Sequence, residues 1–381
     1  MRGRPSLPPS VLLVSATLEG GGAERQLSEM ANYWAATGVS VALVTWSGPE
    51  LADFYVLDSR VHRLHLDMSS SKRGAVSRVL FNLRRTMGLR RVIAAQRPNA
   101  VLSFITENNV LTILASLGMG CRTVVSERCH PARDSTVPRV WAVLRKALYW
   151  SCDEVVAQTR EAALWIERHY RARTRTIPNA LRDLPAYEVE REPLIVGVGR
   201  LAHQKGFDLL LRAFARVADQ FLEWTVAIVG EGAELDGLRQ LSHELGVSDR
   251  VVFVGEVRDV ERWMARAGLI VQPSRFEGFP NTVLEAMGMG APVISSDCLS
   301  GPAELIDDRV NGRLVPVGDV DALAEALREL LAMPDFRTRL GREASKVRQR
   351  FRQNDVMAQW EACLLPELVR CAGTLDWKEA T

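Results

Sequence analysis

The sequence predicts an α/β protein made of two doubly wound parallel halves, and three observations carry that expectation. Its 381 residues exceed what one ordinary core holds, at roughly 150 residues per domain. Short apolar, β-branched runs alternate with segments of helical period along the chain, as parallel strands joined by crossover helices require. The alternation stops once, at the polar, proline-bracketed stretch from Asp183 to Pro193, and then restarts.

In the first half the apolar runs place strands at 11–16, 40–46, 100–104, 122–126, 154–157 and 174–177. Helical spacing places helices at 23–37, 75–95, 108–118, 136–150 and 160–169. The second half reads as strands at 194–199, 224–229, 251–254, 269–272 and 292–295. Its helices fall at 206–219, 233–245, 259–267 and 280–289, followed by 319–332, 335–350 and 354–371 without a further strand. Domains are expected at 1–184 and 185–352, with 353–381 as a terminal helical segment. Doubly wound sheets bind ligands in the crevice beyond the carboxyl ends of their strands, so two such halves predict a cleft between them.

Composition excludes several classes. With 47% hydrophobic and 25% charged residues the chain is not a disordered one. Residues 1–185 carry 25 Lys and Arg against 15 Asp and Glu, and the remainder 23 against 31. A basic first half suits an anionic partner, and an acidic second half argues against a nucleic-acid binder. The six cysteines form no CxxC pair, so neither a zinc site nor a disulfide framework is expected. Arg2 and Arg4 precede the apolar run Val11–Val14, but that run is too short for a signal peptide and reads as a first strand. No apolar stretch approaches 18 residues.

Three motifs carry chemistry. Glu19-Gly20-Gly21-Gly22-Ala23-Glu24-Arg25 links the first strand to the first helix, where a bare backbone and free N–H groups suit a phosphate. It lacks the GxGxxG spacing of a dinucleotide site, so no nicotinamide or flavin is expected. Gly199-Arg200-Leu201-Ala202-His203-Gln204-Lys205-Gly206 ends the first strand of the second half. There Arg200 and Lys205 can meet a diphosphate and stabilise the charge that grows on a departing nucleotide. Ser274-Arg275-Phe276-Glu277-Gly278-Phe279-Pro280-Asn281-Thr282-Val283-Leu284-Glu285 places Glu277 in a loop and Glu285 in the helix behind Pro280. Eight residues of helical rise separate the two carboxylates by about 12 Å. Glycoside hydrolases need about 5–9.5 Å, so this pair suits two grips on one long ligand instead.

These motifs, in this order over about residues 10–330, resemble the retaining GT-B glycosyltransferases called family 4. The resemblance implies two Rossmann-like domains, an interdomain cleft and a C-terminal helix, here 354–371, crossing back onto the first domain. It implies that Glu285 binds the nucleotide ribose, that Glu277 contacts the donor sugar, and that Arg200 and Lys205 hold the diphosphate. Gly21, Gly22, Gly199, Gly278 and the backbone of Phe279, Pro280, Asn281 and Thr282 would line the donor. Gly230 resembles the family's glycine turn, and Val257 lies in a segment resembling the one that reads the base. Ser126-Glu127-Arg128 and Ser300-Gly301-Pro302-Ala303-Glu304 are similar to segments of bacterial surface-polysaccharide and lipid-linked-oligosaccharide transferases. That likeness puts Glu127, Arg128, His130 and Asn179 on the acceptor side. His130 is either a proton shuttle or a capped loop residue, and Asn179 either a ligand or a structural turn.

Lys72, Arg73, Arg78, Arg84, Arg85, Arg90, Arg91 and Arg97 fall within 26 residues that contain no acid, beside Val76, Val79, Leu80, Leu83, Met87 and Val92 at helical spacing. Such a helix suits an anionic membrane surface. The resulting expectation is a metal-independent, cofactor-free retaining transferase that takes a UDP-sugar to a lipid-linked glycan at the cytoplasmic face of the cell membrane. A nucleotide-sugar epimerase of the UDP-HexNAc type and a non-catalytic nucleotide binder are the alternatives.

Overall fold

The computed structural model describes residues 8–68, 75–132 and 137–367. The chain divides into two compact units, Met1–Ile177 with Asn354–Thr381, and Pro178–Gln353. The division falls ahead of the proline-bracketed stretch because Leu181 already belongs to the second unit. Its N–H donates to the Phe351 carbonyl at 2.7 Å, and it bridges Arg352.

The first unit runs β1 (Ser10–Ser15), α1 (Gly22–Ala36), β2 (Ser40–Thr45), β3 (His62–His65), α2 (Ala75–Gln96), β4 (Ala100–Phe104), α3 (Thr106–Ser116), β5 (Arg122–Glu127), α4 (Arg139–Leu148), β6 (Glu154–Ala157), α5 (Arg160–Tyr170) and β7 (Thr174–Thr176). Its sheet is parallel in the order β3-β2-β1-β4-β5-β6-β7. Val11, Leu12, Leu13 and Val14 on β1 are fully buried, because helices cover both faces of the sheet and the strand needs no polar side. The β3 strand, His-Arg-Leu-His, has no apolar run and escapes the sequence pattern. It is a short polar edge strand, and such edges resist further pairing.

The second unit repeats the plan with β8 (Glu192–Val198), α6 (Phe207–Ala215), β9 (Thr225–Val229), α7 (Leu235–Glu244), β10 (Val251–Gly255), α8 (Val260–Arg266), β11 (Ala267–Gln272), α9 (Asn281–Gly288), β12 (Val293–Ser296), α10 (Pro302–Leu305), β13 (Arg313–Val315), α11 (Val320–Ala332), α12 (Pro334–Ala344) and α13 (Val347–Arg350). The sheet order is β10-β9-β8-β11-β12-β13, again parallel. Here β13, a three-residue edge, and α10 are additions to the sequence reading. The single helix expected at 335–350 is two, broken at Ser345, whose hydroxyl donates to the Arg342 carbonyl. The last helix, α14 (Gln353–Leu364), lies in the first unit. Its Trp360 is buried against Phe104, and Arg122 Nε donates to the Cys363 carbonyl at 2.6 Å. Of the helix expected at 354–371, residues 368–371 lie outside the described residues.

Helix α2 corrects the reading of the basic segment. Lys72 and Arg73 lie outside the described residues. Arg85 is not on the solvent face at all. It is buried, pairs with Glu107 at 2.5 Å, donates to the Met68 carbonyl at 3.1 Å, and lies over the rings of Trp46 and Phe81. Burial depresses its pKa and Glu107 partly offsets that. Arg90 donates to the carbonyls of Ala115 and Leu117 at the end of α3. Val79, Leu80, Leu83 and Met87 are each more than half exposed, beside Arg84 and Arg91. Arg85→Gln should therefore cost about 1.5–3 kcal/mol of stability in urea unfolding, while Arg84→Gln changes it by less than about 0.5 kcal/mol. Equal effects would show that Arg85 is not a structural residue.

Candidate active site

The strands β8 and β11 are neighbours, and the loops that leave their carboxyl ends are bound to each other. Gln204 Nε2 donates to the Phe276 carbonyl at 3.0 Å, and the Arg275 N–H donates to the Gln204 carbonyl at 2.8 Å. Arg275 also grips Asp208, on the first turn of α6, with two bonds of 2.8 and 2.7 Å. Burial would raise the Asp208 carboxyl, but this fork outweighs it and holds the pKa below the ordinary value.

Between the loops the chain turns through Gly206 with φ +67°, and a Cβ there would meet the Pro273 carbonyl oxygen at 2.1 Å. Gly230 (φ +136°) presses on the same wall, since its Cβ would fall 2.1 Å from the Gly199 carbonyl oxygen. The turn 230–232 is thereby laid along Gly199–Leu201, with the Leu201 N–H on the Glu231 carbonyl at 2.8 Å. Val257, past the end of β10, is partly buried against the second unit's core.

This packing brings Lys205 and Glu277 together at 2.7 Å. The same Glu277 oxygen accepts from Ser274 Oγ at 2.6 Å, and Gln272 Nε2 donates to Ser274 Oγ at 2.8 Å. Arg200 is exposed and makes no ion pair among the described residues. Behind the loop, Pro280 leads into α9, with Phe279 buried and Asn281 and Thr282 partly open. Ser300 Oγ donates to the Gly278 carbonyl at 3.3 Å, so the 300–304 segment abuts this loop. Cys298 lies beneath it, donating to the Ser274 carbonyl at 3.0 Å. Burial, then the charge of Glu277, push its thiol up to about 12, which makes it unreactive.

One turn farther on, Glu285 is nearly buried and accepts from Arg182 Nε at 3.2 Å, while the other end of Arg182 pairs with Glu261 on α8. Asn179 sits in this second unit as well. Its Nδ2 donates to Asn281 Oδ1 at 2.6 Å, which ties it to the start of α9. Sequence reading missed Arg182, Glu261, Gln272 and Ser274 as partners. Only Ser274, inside the quoted motif, carried any signal.

In the first unit, Gly21 caps α1 with extended backbone, and the Glu24 carboxylate folds against it. An acid thus already lies at the helix end where a phosphate was expected. Glu127 is buried and accepts from Thr106 Oγ1 at 3.1 Å and from the Tyr149 hydroxyl, with Arg145 at 3.6 Å. These bonds brace β5 to the helices behind it. Burial, then Glu127, push the Tyr149 phenol well above its ordinary pKa, so Tyr149 stays a donor. His130 is also buried, and its Nδ1 accepts from the Ala132 N–H at 3.2 Å, the geometry of a capped loop residue. Arg128 lies 4.3 Å over the Phe104 ring and donates to Gln26 on α1. Burial lowers its pKa to about 9, which leaves it charged at neutral pH. Among the described residues no group of three His, Cys, Asp or Glu side chains gathers as a metal site would need.

Residues 185–347 match the family model described as glycosyl transferases group 1, and residues 21–180 match the glycosyl transferase 4-like domain. The chain is similar to a Campylobacter jejuni α-1,4-N-acetyl-D-galactosaminyltransferase whose name gives a diNAcBac-PP-undecaprenol-linked glycan. The two are 26% identical over 354 residues, 92% of this chain and 96% of the relative. A Salmonella typhimurium lipopolysaccharide 1,6-galactosyltransferase is 34% identical over 166 residues, 42% of this chain and 44% of that one. Among solved structures, Anabaena HepE in complex with UDP and glucose aligns with a TM-score of 0.76 at 18% identity, covering 93% of this chain and 99% of that chain.

The glycine geometry gives a direct test. Gly206→Ala should lower stability by at least about 1–2 kcal/mol in denaturant unfolding, since it puts a side chain at positive φ against a carbonyl. Gly237→Ala, in the exposed interior of α7 with open space around it, should raise stability by about 0.5–1 kcal/mol. A Gly206→Ala protein as stable as the parent would refute the packing of these two loops.

Proposed function

As a member of the glycosyltransferases, with a 4-like domain followed by a group 1 domain on the GT-B fold, this chain transfers a sugar, and we propose that it does so with retention, without a metal, from a UDP-sugar to a lipid-linked glycan. The observation that carries the proposal is the meeting of Lys205 and Glu277 at 2.7 Å beside the Arg200 loop, at the carboxyl ends of β8 and β11. A cation and a carboxylate are thus side by side where a doubly wound sheet takes its ligand.

In this reading Arg200 and Lys205 hold the diphosphate and gain strength as UDP departs, which takes the place of a metal ion. Glu277 faces the sugar, whose hexose or N-acetylhexosamine identity depends on pocket shape. Glu285 accepts from the ribose hydroxyls. The acceptor hydroxyl adds to the anomeric carbon on the face that UDP leaves. The bond from that carbon to the phosphate oxygen breaks, and the hydroxyl proton passes to the departing phosphate. The undecaprenol-linked glycan in the Campylobacter relative's name and the lipopolysaccharide in the Salmonella relative's name support a cell-surface glycan acceptor. HepE, which binds UDP, supports the donor base. An epimerase would instead convert a UDP-sugar with no acceptor present.

Two experiments test this. Arg200→Ala and Lys205→Ala should each lower turnover on the order of 10²–10³-fold while the protein stays folded. Proton NMR of product made from an α-linked donor should show an α anomeric centre, and a β centre would overturn retention.

The acceptor reading brings the protein to the inner face of the membrane. No helix among the described residues is long and apolar enough to cross a bilayer. The exposed stripe of α2, flanked by Arg78, Arg84 and Arg91, suits the surface of an anionic one. A second stripe on α4 has the same character, with Val140 and Val143, and Trp150 in the turn that follows, more than half exposed beside Arg139 and Lys146. Basic residues near such a surface contribute about 1 kcal/mol each, screened within about 8–10 Å. Anionic liposomes should sediment the protein at low salt and release it at high salt. Changing Arg78, Arg84 and Arg91 to Gln, with the structural Arg85 kept, should weaken sedimentation and leave UDP binding intact. Unchanged sedimentation would remove the membrane from the proposal.

A further inference from the structure

Arg182 lies in the segment that enters the second unit, outside every motif read from the sequence. Its backbone is fixed from both sides. The neighbouring Leu181 is buried, holds the Phe351 carbonyl through its N–H at 2.7 Å, and packs so tightly on α9 that a Cβ on Gly288 would meet it at 2.8 Å. A second tie runs to α8, where the Tyr187 hydroxyl bonds to Asp259, the residue that caps that helix. From this anchored position one guanidinium serves two carboxylates on two helices, Glu261 of α8 and Glu285 of α9. The acids are 11% and 9% exposed, whereas Arg182 keeps 31%.

We propose that Arg182 is the positioning residue for nucleotide recognition, holding Glu285 oriented toward the ribose hydroxyls, with Glu261 as its anchor. The inference rests on the assignment of Glu285 to the ribose. A carboxylate has about four acceptor sites, so Glu285 can keep the Arg182 bond on one oxygen and still accept two hydroxyls. Without the guanidinium, two largely buried acids on facing helices would compete, and like charges sharing a site do not both ionise. One would turn away from the other, and Glu285 would lose the orientation the ribose needs. Glu261 then has a function that burial alone does not explain. It completes the fork that fixes the angle of Arg182, a geometry lysine cannot reproduce.

The test is calorimetric titration of the full chain with UDP and with 2′-deoxy-UDP. The parent should prefer UDP by about tenfold or more, the worth of a charge-assisted bond. Arg182→Gln should bring that preference close to one, and Arg182→Lys should fall between. Adding Glu261→Gln to Arg182→Gln should restore most of the preference, because the competing charge is gone. Glu261→Gln alone should lower the preference in part, because Arg182 loses the anchor that fixes its angle. Thermal unfolding of each variant checks that it folds, and if Arg182→Gln does not, the Lys variant carries the comparison. Equal weakening toward both nucleotides, with no recovery in the double variant, would make Arg182 a brace only and overturn the proposal. Tighter UDP binding by Arg182→Gln would overturn it from the other side. If Glu285→Ala binds UDP as the parent does, the ribose assignment itself falls. If Glu285→Ala loses binding while Arg182→Gln keeps the preference, only the role of Arg182 falls.

Discussion

The site depends on one constraint, that two adjacent parallel strands end side by side and their loops must satisfy each other. A buried backbone polar group left unpaired costs as much as a lost hydrogen bond, so the loops after β8 and β11 cannot be placed independently. Gln204 serves the 276 carbonyl, Arg275 serves the 204 carbonyl, and Asp208 serves Arg275. With that lattice in place, Lys205 and Glu277 have little choice but to meet. The glycines enforce it sterically, since any side chain at Gly206 would drive the two loops apart.

The same constraint explains why the acids of the second unit come with cations. A carboxylate withdrawn from water must be paired or protonated. Glu277 has Lys205 and Ser274, and Glu285 has Arg182. Such pairs are weak contributors to stability because desolvation consumes much of the attraction. Their value lies in orientation, since a charge already turned and desolvated needs no reorganisation when a ligand arrives. The first unit uses buried charge differently. Glu127, Arg145, Tyr149 and Thr106 bond to one another with almost no exposure, though Arg145 Nε is left without a partner among the described residues, so the network braces β5 and leaves Arg128 as the polar group nearer the surface.

How much of this was legible follows from what periodicity encodes. Central strands such as β1 and β11 are continuous apolar runs and were found within a residue or two. The edge strands β3 and β13 are too short to show a pattern, and nothing local separates them from loops. The donor-side motif was visible because its residues are contiguous in sequence. Arg182 and Glu261 were not, because they reach Glu285 from separate stretches of chain. A helical pattern gives the spacing of a face but not its direction, and α2 shows the consequence. Arg85 turned inward to Trp46 and Glu107, while Leu80 and Leu83 turned out. Asn179 shows a related limit, since a turn residue between domains has no pattern that assigns it to either unit.

The burial of Arg85 removes one cation from the basic face of α2 and leaves its apolar stripe exposed. An arginine that is buried and paired offers nothing to a lipid headgroup, whereas four exposed aliphatic side chains offer area that water alone covers. Charge brings such a surface near a bilayer with a range set by salt, and apolar area holds it there without that range. A helix with only a basic face would bind and release with ionic strength alone. On α2 and α4 exposed apolar side chains lie beside basic ones, so the same faces carry both charge and apolar area.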